Sequence, residues 1–302
     1  MSKTSSQLMR VGHSPDADDA FMFYALAKQK IPMRGFEVEH VIEDIESLNQ
    51  RAFRGELEVT AVSCHAYAYL ADRYAVMRSG ASVGDKYGPI LVQRPTRKAQ
   101  RGNKKAGKER CALSIAQKRI AIPGKLTTAY LTLQLYALTV DRCALRGFEP
   151  VFMPFDKVLE AVKNGEVDLG LVIHEGQITF AEHGLEKFLD LGTWWHEETG
   201  LPLPLGVDII RRDLGEGVMR SFAGLFKESI EYALSHRQEA LEYALQFGRG
   251  ISRELNDRFV GMYVNDRTVD IGRDGEAGFR ALLDLAYQHK IVPNKINFDF
   301  IG

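Results

Sequence analysis

A chain of 302 residues with 45% hydrophobic and 26% charged side chains has the make-up of an ordinary globular protein, long enough for two lobes. With 39 Lys and Arg against 40 Asp and Glu, the formal net charge is −1, which gives no global attraction to nucleic acid or to an anionic membrane. No apolar run reaches bilayer length, the polar start from Met1 to Ser14 lacks a secretion-signal core, and the widely spaced Cys64, Cys111 and Cys143 make neither a disulfide framework nor a metal motif; the expected compartment is the cytoplasm.

Strand and helix patterns alternate through the first two thirds of the chain, the order of a parallel α/β fold. Leu8 to Gly12 reads as a short strand, and Ser14-Pro15 opens a helix that runs through Lys28. Glu37 to Ile42 alternates as a second strand. Ser47 to Phe53 is a helix that stops at Arg54-Gly55, where glycine relieves the left-handed turn past a helix end. Leu57 to Ser63 is a third strand and Arg119 to Ile122 a fourth; Pro123-Gly124 then leads into a helix from Thr127 to about Thr139. Beyond Gly215 the pattern turns helical, with amphipathic stretches such as Ser221 to Leu234 and Gly278 to His289.

One internal similarity organises these elements. RAFRGELEVTAVSCH (51–65) and AVKNGEVDLGLVIHE (161–175) each run from a helix end through Gly-Glu into a β-rich strand that stops at a polar residue. Two lobes built from the same unit account for them. Ligands of parallel sheets sit beyond the carboxyl ends of strands, so Ser63-Cys64 and His174-Glu175 are expected to face one another across a cleft. Gln93 to Pro95 and Leu201 to Gly206 are the expected crossings, giving lobe one as 1–93 plus 206–302 and lobe two as 94–205.

Four features carry candidate chemistry. The Gly124 to Ala129 turn (GKLTTA) offers free amides and the positive end of a helix to a carboxylate or phosphate, with Thr127 and Thr128 adding hydroxyls; simple capping by threonine is the alternative. The first loop, Ser14-Pro15-Asp16-Ala17-Asp18-Asp19, is a poor anion site but a fit acceptor for ligand hydroxyls, again against capping as the alternative. Its D-x-D-D string lacks the rest of a calcium loop, so no metal is assigned to it. His174, ending an apolar strand with Glu175 beside it, is a candidate general base, and His13 and His65 are further candidates for the same cleft. Between Arg94 and Arg110 eight Lys or Arg stand against Glu109 alone, the pattern of a solvated loop.

The strings GHSPDADDAFMFYAL (12–26), RSGASVGDKYGPILV (78–92), IAIPGKLTTAYLTLQLYA (120–137), GEVDLGLVIHEGQITF (165–180) and LGTWWHEETGLPLPLG (191–206) resemble the 1,4-dihydroxy-6-naphthoate synthases of menaquinone biosynthesis. The resemblance implies a two-lobed, periplasmic-binding-protein-like fold of type 2 with a helical C-terminal section. It implies a cofactor-free conversion of cyclic dehypoxanthine futalosine into 1,4-dihydroxy-6-naphthoate, a small-molecule carboxylate being the partner. By the same resemblance His174 is the base, Ser63 touches the ligand and Thr127, Thr128 and Ala129 form its anchor; Ser14, Asp18, Cys64 and Glu175 complete the expected site. The first loop departs from the family's Ser-Pro-Cys-Pro-Asn-Asp, and Asp16 and Asp18 add two negative charges that disfavour an anion in that corner. A cytoplasmic binding protein for small anions and a related enzyme such as a chorismate dehydratase are the competing readings.

Overall fold

The computed structural model describes residues 6–95, 115–140, 147–247 and 252–302. The first part of the chain runs β1 (Gln7–His13), α1 (Ala17–Ala27), β2 (Phe36–Ile42), α2 (Ile45–Arg54), β3 (Val59–Ser63), α3 (Cys64–Tyr67), β4 (Tyr74–Met77) and β5 (Ser82–Gly84). β1 pairs in parallel with β2, Met9 opposite Val38, and with β3, Val11 opposite Val59. Asp44 starts α2 by accepting hydrogen bonds from the amides of Glu46 and Ser47, and Gly55 ends it at φ +69°. α1 is buried all round, from Ala17 to Leu26, because C-terminal helices cover the side that faces away from the sheet.

The middle runs β6 (Ile90–Gln93), β7 (Arg119–Ile122), α4 (Thr128–Val140), β8 (Glu149–Phe152), α5 (Val158–Asn164), β9 (Leu169–Val172), α6 (Gly176–Thr179), β10 (Glu186–Asp190), α7 (Leu191–Thr199) and β11 (Leu203–Arg211). Then come α8 (Glu216–Ser235), α9 (Arg237–Ala244), α10 (Arg253–Tyr263), α11 (Asp266–Val269), α12 (Gly272–Gln288) and β12 (Phe300–Ile301). α8 and α9 are the helices that cover α1.

Two sheets result, and their topology repeats. The first has the order β12-β4-β11-β3-β1-β2, with β5 also paired to β11; the second has the order β10-β6-β9-β7-β8. Read from the edge, β2-β1-β3-β11-β4 matches β8-β7-β9-β6-β10. The similar sequence units occupy equivalent places: α2, Gly55 and β3 in one sheet correspond to α5, Gly165 (φ +78°) and β9 in the other. In each sheet the fourth strand, β11 or β6, runs antiparallel to its neighbours.

The chain therefore passes between sheets at 85–89 and again through α7. Both passages differ from the sequence expectation. Ile90–Gln93 pairs with β9 and so lies beyond the first passage. Leu203 to Gly206 already pairs with β5, its proline accommodated where the register shifts between Pro204 and Gly206. The C-terminal helices also begin earlier than their pattern indicates, α8 at Glu216 and α12 at Gly272. Gly217, Gly275 and Gly278 lie inside them. Gly278 has a packing reason, since a Cβ there would stand 2.4 Å from the carbonyl oxygen of Pro202.

One hydrophobic cluster joins the sheets, from Val62 and Val207 through Trp195 and Leu91 to Ile120 and Leu169. Trp195 is fully buried and donates its indole N–H to the Pro202 carbonyl at 3.0 Å. A second cluster fastens α1 to α8 through Phe23 and Phe226, whose rings stack at 4.6 Å.

Candidate functional site

A cleft with about 790 Å³ of empty space, its open mouth included, lies between the sheets and takes residues from both. From the second sheet, β9 leads through Ile173 to His174, which turns the chain with a left-handed backbone at φ +54°. Histidine is among the few non-glycine residues that tolerate that region. The His174 ring meets the edge of Phe155 at 4.6 Å and is largely covered. Its Nδ1 stands 3.3 Å from a Glu175 carboxylate oxygen, and with the proton on Nδ1 directed there, Nε2 carries the lone pair. The Gly176 amide, 3.4 Å from the same Nδ1, donates to it only in the opposite tautomer. Gly176 lies close against β9, where a Cβ on it would stand 2.6 Å from Val172 Cγ1.

The N-terminus of α4 faces the same cleft through Thr127, Thr128 and Ala129. Thr127 serves as the helix cap here. Thr127 Oγ1 accepts the Tyr130 amide at 3.2 Å and donates to the Gly124 carbonyl at 3.0 Å, so that hydroxyl is the cap. The Thr128 hydroxyl donates to the Leu205 carbonyl. The amides of Thr128 and Ala129 belong to the first turn, which has no intrahelical acceptor, and they carry the positive end of the helix.

The first sheet supplies the opposite wall. Ser63 ends β3 and is fixed by Asn49 of α2, whose Oδ1 accepts the Ser63 amide at 3.1 Å while its Nδ2 donates to Ser63 Oγ at 3.4 Å. In the first loop the Ser14 amide donates to Asp19 at 2.7 Å, and the Asp16 side chain at the N-cap position of α1 makes no cap hydrogen bond. Asp16, Asp18, Asp19 and Asp208 of β11 all line this wall, and no Lys or Arg lines the cleft among the described residues. Burial pushes the Asp18 carboxyl well above the usual carboxylate range, with Asp19, Asp16 and Glu175 adding repulsion. Burial raises Asp19 to about 6 against the hydrogen bonds from Ser14, and raises Asp208 well above its ordinary value with Asp19 as the second cause. Burial, with repulsion among the acids at Asp18 and Asp208, thus works against the charged forms on this wall. Among the described residues no group of three or more His, Cys, Asp or Glu is arranged to hold a metal ion.

Ser14, Asp18, Ser63, Thr127, Thr128, Ala129 and His174 are therefore together on one cleft. Cys64 and Glu175 are buried just behind it, Glu175 against His174 and Cys64 with its thiol pushed up by burial and eased by Thr128. His13 is buried against His40, and His65 against the Thr127 backbone; burial lowers both to about 4, and neither lines the cleft. The basic run is outside the described residues except for Arg94, which donates to the Val162 and Val167 carbonyls. Asn49, Asp208, Tyr263 and Gln177 escaped the sequence reading. The first two carried a signal: Asn49 is an amide on the apolar face of an amphipathic helix, and Asp208 an acid inside the run Val207-Asp208-Ile209-Ile210.

Two like sheets around a shared cleft define a class, the two-lobed α/β scaffold of periplasmic binding proteins. The aliphatic sulphonate-binding protein of Escherichia coli superposes with a TM-score of 0.64 at 13% identity, covering 96% of this chain and 90% of that one. Within the class the family is defined by sequence: the menaquinone biosynthesis profile matches residues 9–288, and the chain belongs to that family. A relative from Thermus thermophilus named 1,4-dihydroxy-6-naphtoate synthase is 40% identical over 270 residues, 89% of this chain and 90% of that protein. A crystallised protein of Archaeoglobus fulgidus is 46% identical with a TM-score of 0.84, covering 94% of this chain and 98% of its own.

Proposed function

We propose that this protein is a 1,4-dihydroxy-6-naphthoate synthase acting in the cytoplasm on cyclic dehypoxanthine futalosine, without a cofactor. The observation that carries the reading is the meeting of His174 with the α4 N-terminus in one cleft. The amides of Thr128 and Ala129 hold the substrate carboxylate, while Ser63 and the first loop receive the sugar-derived part. His174 Nε2 takes a proton from carbon, and the electron pair released starts the cleavage that ends in an aromatic ring. Aromatisation supplies the driving force, so one base and correct placement suffice. The first sheet with the C-terminal helices acts as one lobe and the second sheet as the other, and their closure excludes water from reactive intermediates.

The test is to incubate the purified protein with cyclic dehypoxanthine futalosine and follow products by mass spectrometry, with His174→Ala in parallel. Formation of 1,4-dihydroxy-6-naphthoate by the wild type alone is the expected result. A folded wild type that returns the compound intact overturns the reading in favour of a binding protein or a related enzyme with another substrate.

A further inference from the structure

We propose that Asp208 is a ligand-binding residue whose carboxyl group donates a hydrogen bond to an uncharged oxygen, a hydroxyl or carbonyl, of the molecule held in the cleft. The proposal rests on the cleft being the ligand site, as the preceding reading has it, and adds the chemistry of the wall opposite the α4 anchor. Asp208 sits in mid-strand on β11, paired opposite Ala61, and is 1% exposed. It nonetheless lines the cleft, and its Oδ1 has no hydrogen-bond partner among the described residues. A buried carboxyl left in that state is a substantial liability unless something else occupies its hydrogen-bonding capacity.

The surroundings make room for the group without neutralising it. Gly80, at φ +93°, closes over it so tightly that a Cβ would fall 2.2 Å from Asp208 Oδ2 and 2.6 Å from Phe226 Cε1. The charged group acting on Asp208 is Asp19, another acid, and no cation lines the cleft among the described residues. Burial and Asp19 both favour the protonated form. A protonated carboxyl has an O–H to give and repels no neutral oxygen, whereas it offers nothing comparable to the amides that suit a ligand carboxylate. The cleft is thereby polarised, with an anion end at α4 and a neutral, hydroxyl- or carbonyl-binding end at β11. A ligand with a carboxylate at one end and uncharged oxygens at the other fits that polarity.

The experiment compares the full-length wild type with Asp208→Asn and Asp208→Leu. Asparagine keeps a donor of the same shape and is expected to hold KM for cyclic dehypoxanthine futalosine within about threefold. Leucine removes it and is expected to raise KM about tenfold or more with kcat little changed, as the loss of one hydrogen bond on binding requires. Infrared difference spectra of ligand-free wild type against Asp208→Asn at neutral pH are expected to show a carboxylic-acid carbonyl band. A carboxylate band there instead, or an unchanged KM in a folded Asp208→Leu, overturns the proposal. The infrared arm needs no turnover: a wild type that leaves the compound untouched sinks the synthase reading, while the acid band still decides the state of Asp208.

Discussion

At the residue scale the centre of the site is a histidine in a backbone conformation that few side chains accept. His174 at φ +54° follows β9 directly, and the same turn that points its ring at Phe155 sets Glu175 behind it. Alanine at this position combines loss of the imidazole with left-handed strain of about 1 kcal/mol, so a stability effect would blur the chemical one. Asparagine tolerates the left-handed region and separates the two. His174→Asn is expected to leave the thermal midpoint within about 2 °C, because a loss well under 1 kcal/mol moves it little, and to lower kcat about a hundredfold or more. Near-normal kcat in the folded variant removes His174 from the role of base. What the sequence revealed at this scale follows from position. His174, Ser63 and Thr127–Ala129 end strands or open a helix, and such ends are readable from pattern alone. Asn49 and Asp208 are interior to their elements, where a polar residue reads as an interruption; only the folded chain shows that each faces the cleft or holds something that does.

At the scale of elements, the two units that look alike in sequence prove equivalent in structure, α2 to β3 and α5 to β9. They were legible because each contains its own punctuation, a glycine in the left-handed region followed by a β-rich run. Sheet membership was not legible in the same way. Whether Ile90–Gln93 and Leu203–Arg211 join one sheet or the other depends on partners more than 75 residues away, Leu171 for Leu91 and Val62 for Val207. The passage between sheets depends on a backbone contact that sequence does not announce. The Leu191 amide donates to the Pro89 carbonyl at 2.9 Å, and a Cβ on Gly192 would stand 2.0 Å from the carbonyl carbon and oxygen of Tyr87. Main-chain atoms cannot swing aside as a flexible side chain can. Gly192→Ala is therefore expected to destabilise the protein by roughly 2 kcal/mol or more, read from urea denaturation. An unchanged midpoint would mean that the 85–89 passage and α7 are not held this closely in solution.

For the whole molecule, the acids of the first wall and the contact between the lobes set two global properties. Asp19 has a folded value of about 6, above the ordinary carboxylate range, so the native protein retains a proton that the unfolded chain gives up. Stability from this group is thus full at acidic pH and is lost as pH rises through about 4 to 6, on the order of 3 kcal/mol in all. Asp19→Asn keeps an acceptor for the Ser14 amide and has no proton to lose. It is expected to gain stability on the wild type between pH 4.5 and 7 in urea denaturation, and parallel curves across that range would refute the assignment. The lobes, in turn, are tied across the cleft by a part-buried hydrogen bond, 2.7 Å long, from Tyr263 of α10 to Gln177 of α6. Tyr263 also packs edge-on against Tyr87 at 5.7 Å, and Tyr87 in turn donates its hydroxyl to the Met262 carbonyl, so this bond joins α6 to the passage that any lobe motion must flex. Removing the hydroxyl leaves the Gln177 carbonyl oxygen without its donor in the closed form but wet in an opened one, which shifts the balance towards opening by about 1 kcal/mol or somewhat more. Tyr263→Phe is therefore expected to weaken ligand binding roughly five- to tenfold, since only the closed population holds the ligand. The ligand-free variant should also scatter X-rays as a larger particle than the wild type. Weaker binding with unchanged scattering would make the Tyr263 hydroxyl a ligand contact, and neither change would show that the bond contributes nothing to closure.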